Sequence, residues 1–69
     1  MPYYIINKNQ DANECNEVHT TTCDYLPLVQ NQISLGWHSD EHDAVKYAKN
    51  CGWYNADGCY YCCNKEHTR

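Results

Sequence analysis

The feature that most constrains this chain is its density of cysteine: six in 69 residues, two of them in the run CYYC at positions 59–62. A chain of this length buries only about 60% of the surface that its unfolded form exposes. Its apolar interior can be little more than one layer of side chains on either side of a small sheet. Domains of this size commonly draw on disulfides, a metal ion or a partner for the rest of their stability. Six sulfurs can supply either of the first two. The remaining apolar supply is unusual, with seven Tyr, two Trp and no Phe. Tyrosine suits a thin core because its ring can be buried while the hydroxyl stays at the wet edge.

Charge and the start of the chain narrow the setting. Five basic residues face nine acidic ones, for a formal net charge of -4. Phosphate backbones are normally held by clustered Lys and Arg. Here Lys8, Lys46, Lys49, Lys65 and Arg69 are scattered, so nucleic-acid binding is disfavoured. The opening MPYYIINKNQ has no basic segment leading into an apolar one, and no run approaches membrane-spanning length. A chain that begins here is expected in the reducing cytoplasm, where cysteine serves metals or catalysis more than disulfides. A peptide excised from a precursor would also lack a leader. Its cysteines would then read as a secreted disulfide scaffold whose pairing the sequence leaves open.

The order of elements predicts an α+β fold: a small sheet of two to four short strands packed on one main helix and stabilised by a metal site. Tyr3 to Asn7 is a strand candidate by its aromatic and β-branched content. Glu17 to Thr20 can return as a second strand, with Val18 and His19 on opposite sides. Pro27 biases Leu26 toward extended geometry, so any helical turn over 21–25 is brief. Ile33, Leu35 and Trp37 alternate with Ser34 and Gly36 and predict one apolar strand face, with a bulge or close approach at Gly36. The best helix follows: Ser39 is the expected N-cap, Asp40, Glu41 and Asp43 fill the first turn, and Gly52 is the expected stop. Ala44, Tyr47, Ala48 and Cys51 fall at i, i+3, i+4 and i+7, a predicted buried stripe.

Two short spacings carry the chemistry. His19-x3-Cys23 can converge from one turn, and Cys59-x2-Cys62 can bring two sulfurs within about 4 Å, near the edge of a zinc–thiolate tetrahedron. Together His19, Cys23, Cys59 and Cys62 make a Cys₃His set, a common composition for structural zinc. Asp57-Gly58 before Cys59 supplies turn chemistry for a chain curling round a metal. Three thiolates around a divalent ion leave the site at about -1, so metal does not relieve the acidity.

The chain also resembles, from about Tyr4 onward, a small bacterial zinc-binding domain whose best-described member is the N-terminal metal domain of the Ada DNA-repair protein. The residues that carry the likeness are His19, Cys23, the stretch SDEHDAVKYAKNCGW and the knuckle GCYYC. Small bacterial proteins with HxxxC and CxxC motifs are similar in the same way. The resemblance covers most of the chain and implies a zinc scaffold, and positions 1–69 are expected to form a single Cys/His-rich zinc-binding domain. In the Ada family the first cysteine of the set accepts a methyl group from a DNA phosphotriester. His19 stands at that position here, and imidazole does not replace a thiolate in that role. The resemblance therefore implies the metal scaffold without the repair activity.

The other candidates have quieter readings. His67, five residues after Cys62, competes with His19 for the fourth ligand position, with Cys63 a weaker rival. Cys51 reads as a small core residue, and Cys15 as an exposed, reactive or paired thiol in a polar loop. A second metal site from Cys15, Cys51, Cys63 and His67 has the ligand count but competes with core packing. His38 and His42 read as surface residues, because positive charge at a helix start is unfavourable. Glu17 and Asp24 adjoin the proposed ligands and suit hydrogen bonding to them. No third group is placed to orient a Cys–His pair, so catalysis is disfavoured. The expected role is a structural zinc module that meets a protein partner through exposed aromatics, with Trp53, Tyr54, Tyr60 and Tyr61 as candidates. Core packing is the competing reading for Trp53.

Overall fold

A computed structural model describes residues 3–10 and 14–63. The elements are β1 (Tyr3–Asn7), β2 (Asn16–Thr20), a 3-10 turn (Val29–Asn31), β3 (Gln32–Trp37), α1 (Glu41–Asn50) and β4 (Ala56–Gly58). The strands form one sheet in the order β3-β1-β2-β4. β1 runs antiparallel to both β2 and β3, whereas β4 joins β2 in parallel. This is the α+β class that the sequence predicts, a sheet of four strands with a single helix packed against it. No helix among the described residues is long and apolar enough to cross a membrane.

Register decides which residues reach the core. Directly opposed residues on neighbouring strands share a face. Ile6 lies opposite Val18 and Ile33, and Ile5 lies opposite His19 and Ser34, so Val18 and His19 do point to opposite sides. The face under α1 gathers Tyr4, Ile6, Val18 and Leu35 against Ala44, Val45 and Ala48 of the helix, with Cys63 beside them. Small alanines at the contact let the helix lie close to the sheet.

Three departures from the expected packing have physical causes. β3 carries one extra residue: Tyr4 pairs with Gly36 and Ile5 with Ser34, leaving Leu35 between them. Gly36, at φ +79, supplies the left-handed backbone that this bulge requires. The bulge separates Leu35, which is buried, from Trp37, which moves to the other face opposite Tyr3 and is 46% exposed. Ile33, on the edge strand, is also exposed. Along α1 the buried stripe is Ala44, Val45 and Ala48, while Tyr47 and Cys51 face solvent. The alanines belong to either stripe, and Val45, with no polar atom to keep wet, takes the buried flank. Of the seven tyrosines only Tyr4 is buried, so the thin core is built from aliphatic and cysteine side chains instead.

The helix ends are set by local chemistry. Asp40, one residue beyond the expected Ser39, is the N-cap, and its Oδ1 accepts from the Asp43 N–H at 2.8 Å. At the other end the Gly52 N–H donates to Lys49 O and the Trp53 N–H to Ala48 O. With Gly52 at φ +105 this is a Schellman motif, and Trp53 packs half-buried against the core as its hydrophobic partner. His38, expected at the surface, is buried. Its Nδ1 lies 2.8 Å from Asp43 Oδ2 and its Nε2 2.8 Å from Leu35 O, tying β3 to the first turn of α1. The Asp43 carboxylate offsets the repulsion that a histidine would meet at a helix start. His42 is exposed, in keeping with its surface reading.

Candidate metal centre

The cluster forms where β2 and β4 end together. β2 delivers His19, whose strand position fixes its direction. The chain then turns sharply, the Cys23 N–H donating to Thr20 O at 3.1 Å, so that Cys23 folds back over the end of the strand. β4 has three residues and pairs with β2, and Asp57-Gly58, expected as a turn, lies within it. The ladder runs on as the Cys59 N–H donates to Val18 O at 3.0 Å. The chain then closes a turn in which the Cys63 N–H reaches Cys59 O at 2.8 Å. That turn holds Cys59 and Cys62 on the side facing His19 and Cys23.

One donor atom from each of His19, Cys23, Cys59 and Cys62 lies within 4.8 Å of every other, a His/Cys cluster capable of coordinating a metal ion. The Sγ atoms of Cys23 and Cys59 are 3.9 Å apart, and Cys62 Sγ is 4.0 Å from His19 Nδ1. A tetrahedral site with zinc–sulfur bonds of about 2.3 Å has edges of about 3.8 Å between sulfurs. The donors thus stand near the separation that a single ion needs. The sulfur separations are far beyond a covalent bond of about 2.05 Å, and none of the six cysteines is in a disulfide.

Electrostatics suits the same use. His19 is 2% exposed, and burial lowers its basicity below the ordinary histidine value, favouring the neutral ring that ligates metals. Its Nδ1 faces the sulfurs while Nε2 lies 3.9 Å from Glu17 Oε1, two residues earlier on the same strand face. A carboxylate on the far nitrogen is the usual means of orienting a ligating imidazole. The Thr20 N–H donates to Cys62 Sγ and the Tyr25 N–H to Cys23 Sγ, each at 3.4 Å. Such bonds favour thiolate. At Cys23 burial outweighs that bond and raises the thiol above its ordinary value, so binding a cation there displaces a proton.

The remaining cysteines divide differently from expectation. Cys63 is completely buried in the hydrophobic core, its Sγ 3.7 Å from Cys62 Sγ. Burial, followed by the neighbouring Cys62, pushes its thiol far above the usual range. That shift favours the thiol over the thiolate beside the cluster. The doublet Cys62-Cys63 carried that signal, one residue facing the donors and the next the core. Cys15, read as a loop thiol, is buried, while Cys51, read as core, is exposed. These positions do not converge, and His67, the rival ligand, lies outside the described residues.

The aromatic candidates divide as well. Tyr54, Tyr60 and Tyr61 are exposed, while Trp53 serves the core. Tyr25, not singled out by the sequence, joins the group. Its ring stacks on Tyr61 with centroids 3.9 Å apart, and Tyr60 meets Tyr61 edge-on. No protein-family model matches the chain, and neither the curated proteins nor the solved structures contain a match.

Proposed function

We propose that positions 1–69 form one small structural zinc domain in which His19, Cys23, Cys59 and Cys62 hold a single zinc ion, and that its exposed tyrosines meet a protein partner. The observation that carries this reading is the convergence of four donors, two from each of two distant segments, within 4.8 Å. Three sulfurs and an imidazole are a soft donor set that selects zinc over magnesium or calcium. Four protein ligands close the shell and leave no position for a reactive water, which supports a structural role over a catalytic one. A reducing compartment such as the cytoplasm keeps the thiolates available. The partner role is supported by the exposed group of Tyr25, Tyr60 and Tyr61.

Elemental analysis with intact mass, under reducing conditions, tests the metal. The expected result is one zinc per folded chain with every thiol reduced. A folded, metal-free chain whose thiols are oxidised to disulfides overturns the reading and favours a secreted scaffold. A second reading, a nucleic-acid-associated module on an Ada-like scaffold without alkyl-acceptor activity, rests on the resemblance in motifs. With a net charge of -4, binding to duplex DNA at about 150 mM salt is expected to be weak. Micromolar or tighter binding would favour that second reading.

A further inference from the structure

A cleft of about 210 Å³ opens directly beside the cysteine cluster, and its chemistry has one sign. Cys23 and Cys62 line it where it meets the cluster. The Asp24 carboxylate and the hydroxyls of Thr20 and Thr22 supply acceptors, and the rings of Tyr25 and Tyr61 line the wall. Among the described residues no Lys or Arg borders it. A second cavity, along the outer side of α1, is lined by His42, Lys46 and Lys49 and carries the opposite sign. Among the described residues the two cavities thus differ in sign, and the acidic, aromatic one lies at the cysteine end.

We propose that the cleft beside the cysteine cluster binds an arginine side chain of a basic segment in a partner protein. This deepens the reading of the domain as a zinc module with an interaction surface, and it rests on that reading for part of its charge. Three thiolates and a neutral imidazole around a divalent ion give a centre of about -1 behind the cleft. Asp24 adds a carboxylate at its rim. A guanidinium presents planar N–H donors to a carboxylate, donates to hydroxyl oxygens and stacks on aromatic faces. Each of these partners lines the cleft. The Tyr25 and Tyr61 rings, stacked with centroids 3.9 Å apart, offer an exposed aromatic face on that wall. An ammonium group finds the same charge but gains less from a flat ring. Phosphate is repelled here and drawn to the lysines of α1 instead, which separates this occupant from nucleic acid.

The test uses the full chain, purified with its metal, and a short capped peptide of alternating glycine and arginine. Peptides with lysine or citrulline in place of arginine are the controls. Amide and tyrosine-ring shifts should move at Thr20 to Tyr25 and at Tyr61 and Cys62, and not along α1. Arginine should bind about threefold more tightly than lysine, and citrulline should not register. D24N should weaken binding about threefold at low salt, the effect shrinking as salt rises. Y25A should weaken it by a similar factor, whereas Y54A, at a ring 83% exposed, should leave it unchanged. Equal response to citrulline, shifts confined to α1, or a cleft that answers an oligonucleotide and not the peptide would overturn the proposal. Zinc content read on the same samples separates it from the metal assignment. One zinc per chain with no peptide response removes the arginine site alone. A folded chain without zinc removes the metal assignment and, with it, the charge that the thiolate centre lends the cleft, so both readings then fall together.

Discussion

The helix-covered side of the sheet and the cysteine end solve the same problem with different materials. Under α1, Ile6 and Val18 are completely buried and meet Ala44, Val45 and Ala48, and both helix ends are capped by hydrogen bonds. Every link there is short-range packing or local backbone chemistry. At the cysteine end the chain makes two tight turns, and Tyr25, Tyr60 and Tyr61 remain exposed beside them. What converges there is four donor atoms from segments 36 or more residues apart. A thin domain can afford an apolar core on one side only. On the proposed reading, ligand bonds from the four donors to one ion replace the missing contacts on the other. The prediction that follows is unequal dependence on metal.

The sharpest way to break the comparison is to remove a ligand. C59A or C62A should abolish stoichiometric zinc and destabilise the fold by on the order of 5 kcal/mol, because metal affinity is folding free energy in such domains. Chelator titration alongside thermal melting measures both quantities. H19A should behave in the same way. If H19A keeps wild-type zinc affinity while H67A loses it, the histidine ligand is His67. I6A tests the opposite side: it should cost about 2–5 kcal/mol in denaturant melts through lost burial and a cavity, yet leave one zinc bound. A smaller loss of about 2 kcal/mol is expected for H38A, which leaves the Leu35 carbonyl without its buried partner at the β3–α1 junction. D40A, removing the N-cap, should cost about 1 kcal/mol. C51A, at an exposed thiol, should change stability by less than about 0.5 kcal/mol and leave zinc content alone.

The same division explains what the sequence made legible. Spacings within one turn of chain are legible: the two pairs of donors that converge, the strand at Tyr3–Asn7, the helix and its Gly52 stop all depend on neighbours in sequence. Gly36 announced a bulge, but its consequence was hidden, because only the register with β1 shows that Leu35 is the extra residue and that Trp37 changes face. β4 was invisible for a similar reason. Three residues containing Asp57-Gly58 look like a turn until β2 offers them a parallel ladder. Cys15 and Cys51 exchanged their expected burial because composition of the local stretch does not report which way a residue faces the sheet. Position at a helix start predicts an exposed His38, whereas Asp43, five residues on, gives its ring a partner that lets it lie buried.

Hydrogen exchange on the reduced protein, followed residue by residue as a chelator is added, tests unequal dependence on metal most directly. The amides of Thr20, Cys23, Tyr25, Cys59 and Cys63 should lose protection first and by the larger factor, while those of Ala44 to Ala48 lose it later and less. Equal loss at both ends, or no change at either, would contradict the account.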